Sequence, residues 1–204
     1  MSLIYKILYG VGFTPWEEMA ELPIAEQISA MFDREEEGRQ PPYGPALDLG
    51  CGSGIWAVNL ARRGWEVTGV DVVPKAIRAA KKRAQEAAVE VRFIEGDVTK
   101  LRAAGIGSGY RLVIDFACIH GLGAAQREAA GEEVSAVASA DATVLIGAWA
   151  PGRRAPMLPR GASREDIEAA FHGWSVVDDV AFDASGAPGS VTKAEPRWYT
   201  LRRA

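Results

Sequence analysis

Cysteine is scarce: Cys51 and Cys118 are the only two in a chain of 204 residues. They stand far apart and in no C-x-x-C pair, which excludes a secreted disulfide framework and points to a reducing, cytoplasmic setting. Histidine is as rare, with His120 and His172 alone, and four such side chains scattered without ligand spacing give no metal site to expect. Long apolar runs are missing as well. The opening Leu3-Ile4-Tyr5-Lys6-Ile7-Leu8-Tyr9 is broken by Lys6 and followed by Pro15, Glu17 and Glu18. It is too short to span a bilayer, lacks a small-residue cleavage site and reads as a short docking helix. With no later stretch of about twenty apolar residues, no membrane partner is expected. Positive charge is in deficit, at net −4 and pI near 5.3, so the footprint of a nucleic-acid binder is absent. What remains is 48% apolar and 25% charged, the balance of one globular domain whose core needs neither disulfides nor metal.

Glu35-Glu36-Glu37, Gly38, Pro41, Pro42, Gly44 and Pro45 form a polar, punctuated stretch that closes an N-terminal helical appendage over residues 1–45. From Ala46 onward short β-rich runs alternate with helical ones, the pattern of an α/β fold with parallel strands and crossover helices. The strands are expected at 46–49, 66–71, 90–95, 111–116 and 142–149. The helices are expected at about 55–63, closed by Gly64, at 74–88, opened by Pro74, and at 124–138. Ser163 and Asp166 resemble a capping box for a short helix over 164–171. Two last strands, 174–177 and 197–201, flank a Gly/Pro turn near 185–190 without a helix between them, which implies an antiparallel hairpin at the sheet edge.

The stretch Leu47-Asp48-Leu49-Gly50-Cys51-Gly52-Ser53-Gly54 places a glycine loop between the first strand and the first helix. Ligands of open α/β sheets bind there. Glycines turn the backbone sharply and admit a ligand to main-chain atoms, while the following helix N-terminus favours an anionic group. The spacing is Gly-x-Gly-x-Gly, not the Gly-x-Gly-x-x-Gly of dinucleotide sites. Asp71, ending the second strand, is placed to accept from both hydroxyls of a ribose, with capping of the next helix as its plainer role. Asp97, just past the third strand, is placed to accept from an exocyclic amine, with turn formation as the plainer role.

Leu47 to Gly54, Val70-Asp71-Val72 and Glu95-Gly96-Asp97-Val98 together resemble the successive motifs of class I S-adenosylmethionine-dependent methyltransferases, over about residues 46–201. The resemblance implies a Rossmann-like three-layer sandwich with a seven-stranded sheet of order 3-2-1-4-5-7-6, strand 7 antiparallel, and a catalytic domain over 46–204. It implies S-adenosyl-L-methionine as cofactor, its methionine part against Asp48, Gly50, Cys51, Gly52 and Gly54. Asp71 would hold the ribose hydroxyls and Asp97 the adenine amine, with Val72 and Val98 packed on the ring. Asp115, an acid at the end of the fourth strand, and Ala117, in the loop that borders the reacting methyl, would meet the cofactor. Gly12-Phe13-Thr14-Pro15-Trp16-Glu17 resembles the Pro-Trp element of a small-molecule branch acting on thiopurines, thiols, halides and tellurite, where the tryptophan, here Trp16, closes over the cofactor.

Methyl transfer from a sulfonium is an in-line displacement with a neutral leaving group, so positioning and water exclusion supply most of the acceleration. His120 is the candidate for taking a proton from an acidic acceptor, against a structural role bonded to loop backbone. Cys118 reads as packing, since no partner histidine stands at a diagnostic spacing, and His172 reads as a helix-end charge. Residues 7–16, the loop after His120, and Trp149 through Arg160 with Met157 and Leu158 are the candidate walls for a small-molecule acceptor. Arg153, Arg154 and Arg160 in that stretch are candidates to attract an anionic acceptor, or simply solvated. The expected assembly is a monomer or homodimer. A nicotinamide oxidoreductase is the competing enzyme class, disfavoured by the glycine spacing, and a non-catalytic cofactor-binding protein is the other alternative.

Overall fold

The computed structural model describes residues 24–152, 159–183 and 193–204. Seven strands form one sheet: β1 (Gly44–Leu49), β2 (Trp65–Asp71), β3 (Val91–Glu95), β4 (Tyr110–Phe116), β5 (Ala138–Trp149), β6 (Trp174–Ala181) and β7 (Pro196–Arg203). Their order is β3-β2-β1-β4-β5-β7-β6. The first five run parallel, and β7 pairs antiparallel with both β5 and β6. Among the described residues five α-helices flank the sheet: α1 (Ile24–Glu36), α2 (Ile55–Arg63), α3 (Pro74–Glu86), α4 (Ala124–Val137) and α5 (Arg164–Ala170). This is the three-layer sandwich that the motif set implied.

Side-chain alternation along each strand divides the core in two. Leu47 and Leu49 of β1, Val113 of β4 and Val144, Ile146 and Ala148 of β5 face α4 and α5. Ala46, Leu112, Ile114 and Leu145 face α1, α2 and α3 on the other side. The near-continuous apolar run of β5 follows from burial on both faces. The capping box of α5 forms as the sequence suggested: Ser163 Oγ accepts from the Asp166 N–H at 3.2 Å, and Asp166 Oδ2 accepts from the Ser163 N–H at 3.0 Å. Gly64 closes α2 in a left-handed conformation.

Three elements differ from the sequence reading. β5 begins at Ala138 and not 142, because Tyr110 of β4 pairs with Ala138 across an irregular register. β6 continues through Asp178 and Asp179 to Ala181. Its backbone stays paired to β7 through the half-buried Asp178 and Asp179, so its hydrophobic run is interrupted before its ladder ends. α1 lies within residues 1–45, read as a helical appendage with no helix placed at these bounds, and it runs into the polar, punctuated stretch at Glu35. Its Ile24, Ile28, Met31 and Phe32 follow helical spacing and are buried with Ala46, Leu60 and Trp65. Polar contacts hold the same helix: Arg63 bonds Glu36 at 2.6–2.7 Å and Asp33, and Glu35 accepts from the Thr143 hydroxyl at 2.7 Å.

Candidate functional site

β1, β2 and β4 end side by side at the carboxyl rim of the sheet, and the loop after β1 folds over them. Gly50, Gly52 and Gly54 all have positive φ, at 66°, 52° and 77°. At Gly50 a β-carbon would stand 2.7 Å from Cys118 Cβ, so the residue type is dictated by conformation and by contact. The loop is tied down by the Cys51 N–H donating to Val70 O at 3.0 Å and the Gly54 N–H to Cys51 O at 2.8 Å.

Asp71 joins the loop to β2. Its Oδ2 accepts from the Gly52 N–H at 2.9 Å and its Oδ1 from the Val73 N–H at 2.8 Å. Each oxygen keeps a second lone pair for a ligand hydroxyl. Burial raises its carboxyl above the usual range, opposed by those backbone bonds. Asp48 and Asp115 are 3% and 1% exposed. Burial, then the charges of Asp115 and Asp71, push Asp48 up to about 8 against backbone hydrogen bonding from Ala57. Burial lifts Asp115 to about 7, although Oδ1 and Oδ2 accept from the Cys118 and Ile119 N–H groups at 2.9–3.1 Å. None of the three carboxylates forms an ion pair with another described residue.

Asp97 is exposed just past β3, and its Oδ1 accepts from the Thr99 N–H at 2.9 Å and the Thr99 hydroxyl at 2.8 Å, capping the turn Val98–Lys100. The plainer role foreseen for it is therefore filled, while the side chain stays open to solvent. Val72 is half-buried and Val98 buried at the same rim. Ala117, exposed after β4, adopts φ 84° and donates its N–H to Gly147 O at 3.1 Å. Strain at a non-glycine residue is characteristic of functional loops. Cys51 and Cys118 pack around the glycine loop, and burial raises both thiols well above their ordinary value, which keeps them un-ionised.

His120 is 1% exposed. Its Nδ1 accepts from the Trp149 N–H at 3.1 Å and its carbonyl from the Gly161 N–H at 3.2 Å. An accepting Nδ1 puts the proton of the neutral ring on Nε2. The segment around Arg160 folds back on the end of β5, with the Gly152 N–H donating to Arg160 O at 3.3 Å and the Ala162 N–H to Trp149 O at 2.9 Å. Trp16, the Pro-Trp element, Arg153, Arg154, Met157, Leu158 and the 185–190 turn lie outside the described residues. His172 is exposed, 3.7 Å from Glu128.

Sequence reasoning missed the aromatic group at this rim. Trp56 of α2, Phe116 of β4, Phe182 after β6 and Trp198 of β7 come together there. The signal available was the position of Trp56 two residues beyond the glycine loop and of Phe116 at a strand end.

Residues 46–141 match a family model described as a methyltransferase domain. A ubiquinone biosynthesis O-methyltransferase from a Caulobacter species is 39% identical over 85 residues, which is 41% of this chain and 34% of that protein. One from Cereibacter sphaeroides is 37% identical over 83 residues, 40% of this chain and 34% of that protein. The match thus spans about a third of the length of these curated relatives. Among solved structures, magnesium protoporphyrin IX methyltransferase from Synechocystis with bound S-adenosylmethionine superposes at TM-score 0.75 and 18% identity, covering 100% of this chain and 97% of that one. A TehB-like S-adenosylmethionine-dependent methyltransferase from Corynebacterium glutamicum superposes at TM-score 0.65 and 22% identity, covering 93% and 94%. These likenesses carry the fold. Residues 46–141, just under half of the chain, thus resemble a methyltransferase domain, and they lie on a Rossmann-like sheet with the glycine loop at its carboxyl rim.

Proposed function

We propose that this protein transfers the methyl group of S-adenosylmethionine to a small-molecule acceptor. The observation that carries the reading is the glycine loop tied to Asp71 at the end of β2, with the buried acids Asp48 and Asp115 beside it. A cationic nucleoside brings ribose hydroxyls to the free lone pairs of Asp71 and a charge that favours ionisation of the two buried acids, whereas a nicotinamide dinucleotide brings phosphates to the same acids. When bound, the cofactor supplies an electrophilic methyl on a sulfonium and departs as a neutral thioether.

The chain's own residues then bind and orient. Asp71 holds the ribose hydroxyls with the lone pairs left free by Gly52 and Val73. Asp97 accepts from the adenine amine, while Val72 and Val98 flank the ring. Asp48, held near the loop by β1, offsets positive charge on the methionine side together with Asp115, and Gly50, Cys51, Gly52 and Gly54 keep the backbone close. Residues 1–45, with Trp16, act as a cap that excludes water, and the free thiols suit a reducing cytoplasm.

His120 ties the loop after β4 to the end of β5 and so positions the acceptor side of the site. With Nδ1 engaged by the Trp149 N–H and the ring proton on Nε2, the imidazole offers the site a donor. The acceptor atom is oxygen, sulfur, selenium, nitrogen or halide, and the names of the sequence relatives favour oxygen. Titration calorimetry with S-adenosylmethionine, S-adenosylhomocysteine and NADH, followed by labelled-methyl transfer across an acceptor panel, tests the reading. Heat with the first two and none with NADH is expected, and the reverse overturns it.

A further inference from the structure

Three strands place an aromatic row at the carboxyl rim, and register explains how. Phe116 of β4 pairs with Gly147 of β5, and Gly147 pairs with Trp198 of β7. The glycine between them lets the two rings meet edge to face, with centroids 5.3 Å apart, over the middle strand. A β-carbon at Gly147 would lie 2.4 Å from Trp198 Cζ3. Trp56, in the first turn of α2, stands edge to face on the other side of Phe116 at 5.9 Å, and Phe182 stacks on Trp198 at 4.9 Å.

Trp198 and Phe32 are buried behind this row, while Trp56, Phe116 and Phe182 remain half-buried. The row therefore has a fixed back and an open front. By strand alternation Phe116 shares a face with Leu112 and Ile114, and the register of β1 sets Asp48 opposite Ile114. The open aromatic front thus adjoins the glycine loop, on the side of the sheet where Asp48 points.

Resting on the methyltransferase reading, we infer that Trp56 and Phe116, extended by Phe182, form an acceptor subsite selective for a planar aromatic nucleophile. An apolar, aromatic-lined wall with polar groups confined to one end is how small-molecule sites hold and orient a ligand. Rings at edge-to-face spacing favour another ring over a saturated body of equal size. A phenol or aryl thiol seated on this wall presents its heteroatom toward the loop, where the methyl donor is held.

The test uses the whole chain saturated with S-adenosylhomocysteine and two probes, 2-naphthol and its saturated analogue decahydro-2-naphthol, with binding read by calorimetry. 2-Naphthol is expected to bind about tenfold more tightly than the saturated analogue. Trp56→Leu and Phe116→Leu are each expected to weaken 2-naphthol by about tenfold while leaving S-adenosylhomocysteine affinity within about twofold, and Trp56→Tyr is expected to restore most of the loss. Unchanged S-adenosylhomocysteine binding also shows that each variant is folded. Equal affinity for the two probes, or naphthol binding indifferent to the leucine variants, overturns the subsite and leaves the methyltransferase reading standing. Absence of S-adenosylhomocysteine heat in folded wild-type protein overturns both.

Discussion

Replacing Asp48 by asparagine isolates the electrostatic cost of the site. In the folded protein the Asp48 carboxyl is raised from 3.8 to about 8, with burial the leading cause. The native state therefore holds a proton that the unfolded chain releases near pH 4. Stability is fully present below that value and falls as pH climbs toward 8, because the native state binds more protons throughout the interval. Between pH 3.8 and 7 the loss is about three pH units at roughly 1.4 kcal/mol each, on the order of 4 kcal/mol. Asp115, lifted to about 7, contributes a slope of its own that ends near neutrality. Above pH 7 the remaining decline belongs mainly to Asp48, and amounts to about 1 kcal/mol between pH 7 and 8. Asparagine keeps the size and polarity and removes the titration. Urea unfolding of the ligand-free protein at pH 5, 7, 8 and 9 is the assay. Wild type is expected to lose stability from pH 7 to 8 while Asp48→Asn stays level over that interval and is the more stable protein at pH 8. Parallel decline of the two curves above pH 7 would refute the reasoning.

Other substitutions probe the remaining parts. Asp71→Ala leaves the Gly52 and Val73 N–H groups without their acceptor and removes the ribose partner; S-adenosylhomocysteine affinity by calorimetry is expected to fall about a hundredfold. Gly50→Ala puts a β-carbon against Cys118 at positive φ, and is expected to cost about 2–3 kcal/mol in urea unfolding. Phe32→Ala empties a fully buried position of α1; a loss of about 3–5 kcal/mol is expected if α1 is integral to the core, and under 1 kcal/mol if it is a detachable cap. His120→Asn retains an acceptor for the Trp149 N–H; the pH–rate profile is expected to keep its wild-type acid limb, as for a positioning residue, and loss of that limb would overturn this.

Much of the fold was legible because its signals are local. Pro74 opens α3, Gly64 closes α2, Ser163 and Asp166 cap α5, and the alternation of apolar runs with helices announces a parallel sheet. α1 falls in the stretch read as a helical appendage, and the signal for its bounds, Ile24, Ile28, Met31 and Phe32, was hidden by the acidic and proline-rich stretch that follows. The extra length of β5 and β6 had none, since backbone pairing to a neighbouring strand carries those polar residues in the ladder.

In the site, spacing alone put the glycines and Asp71 together, because a strand end, a tight turn and the next strand end are joined by short chain segments. What only the tertiary structure decided is distance across non-neighbouring segments. It set Asp48, Asp71 and Asp115 at one rim, where burial raises the affinity of all three for protons and the charges of Asp115 and Asp71 add to it at Asp48. It aligned Phe116, Gly147 and Trp198 across β4, β5 and β7, a row that exists because one register brings a glycine between two rings. Local chemistry is written along the chain, whereas burial and register arise only when distant segments are packed against each other.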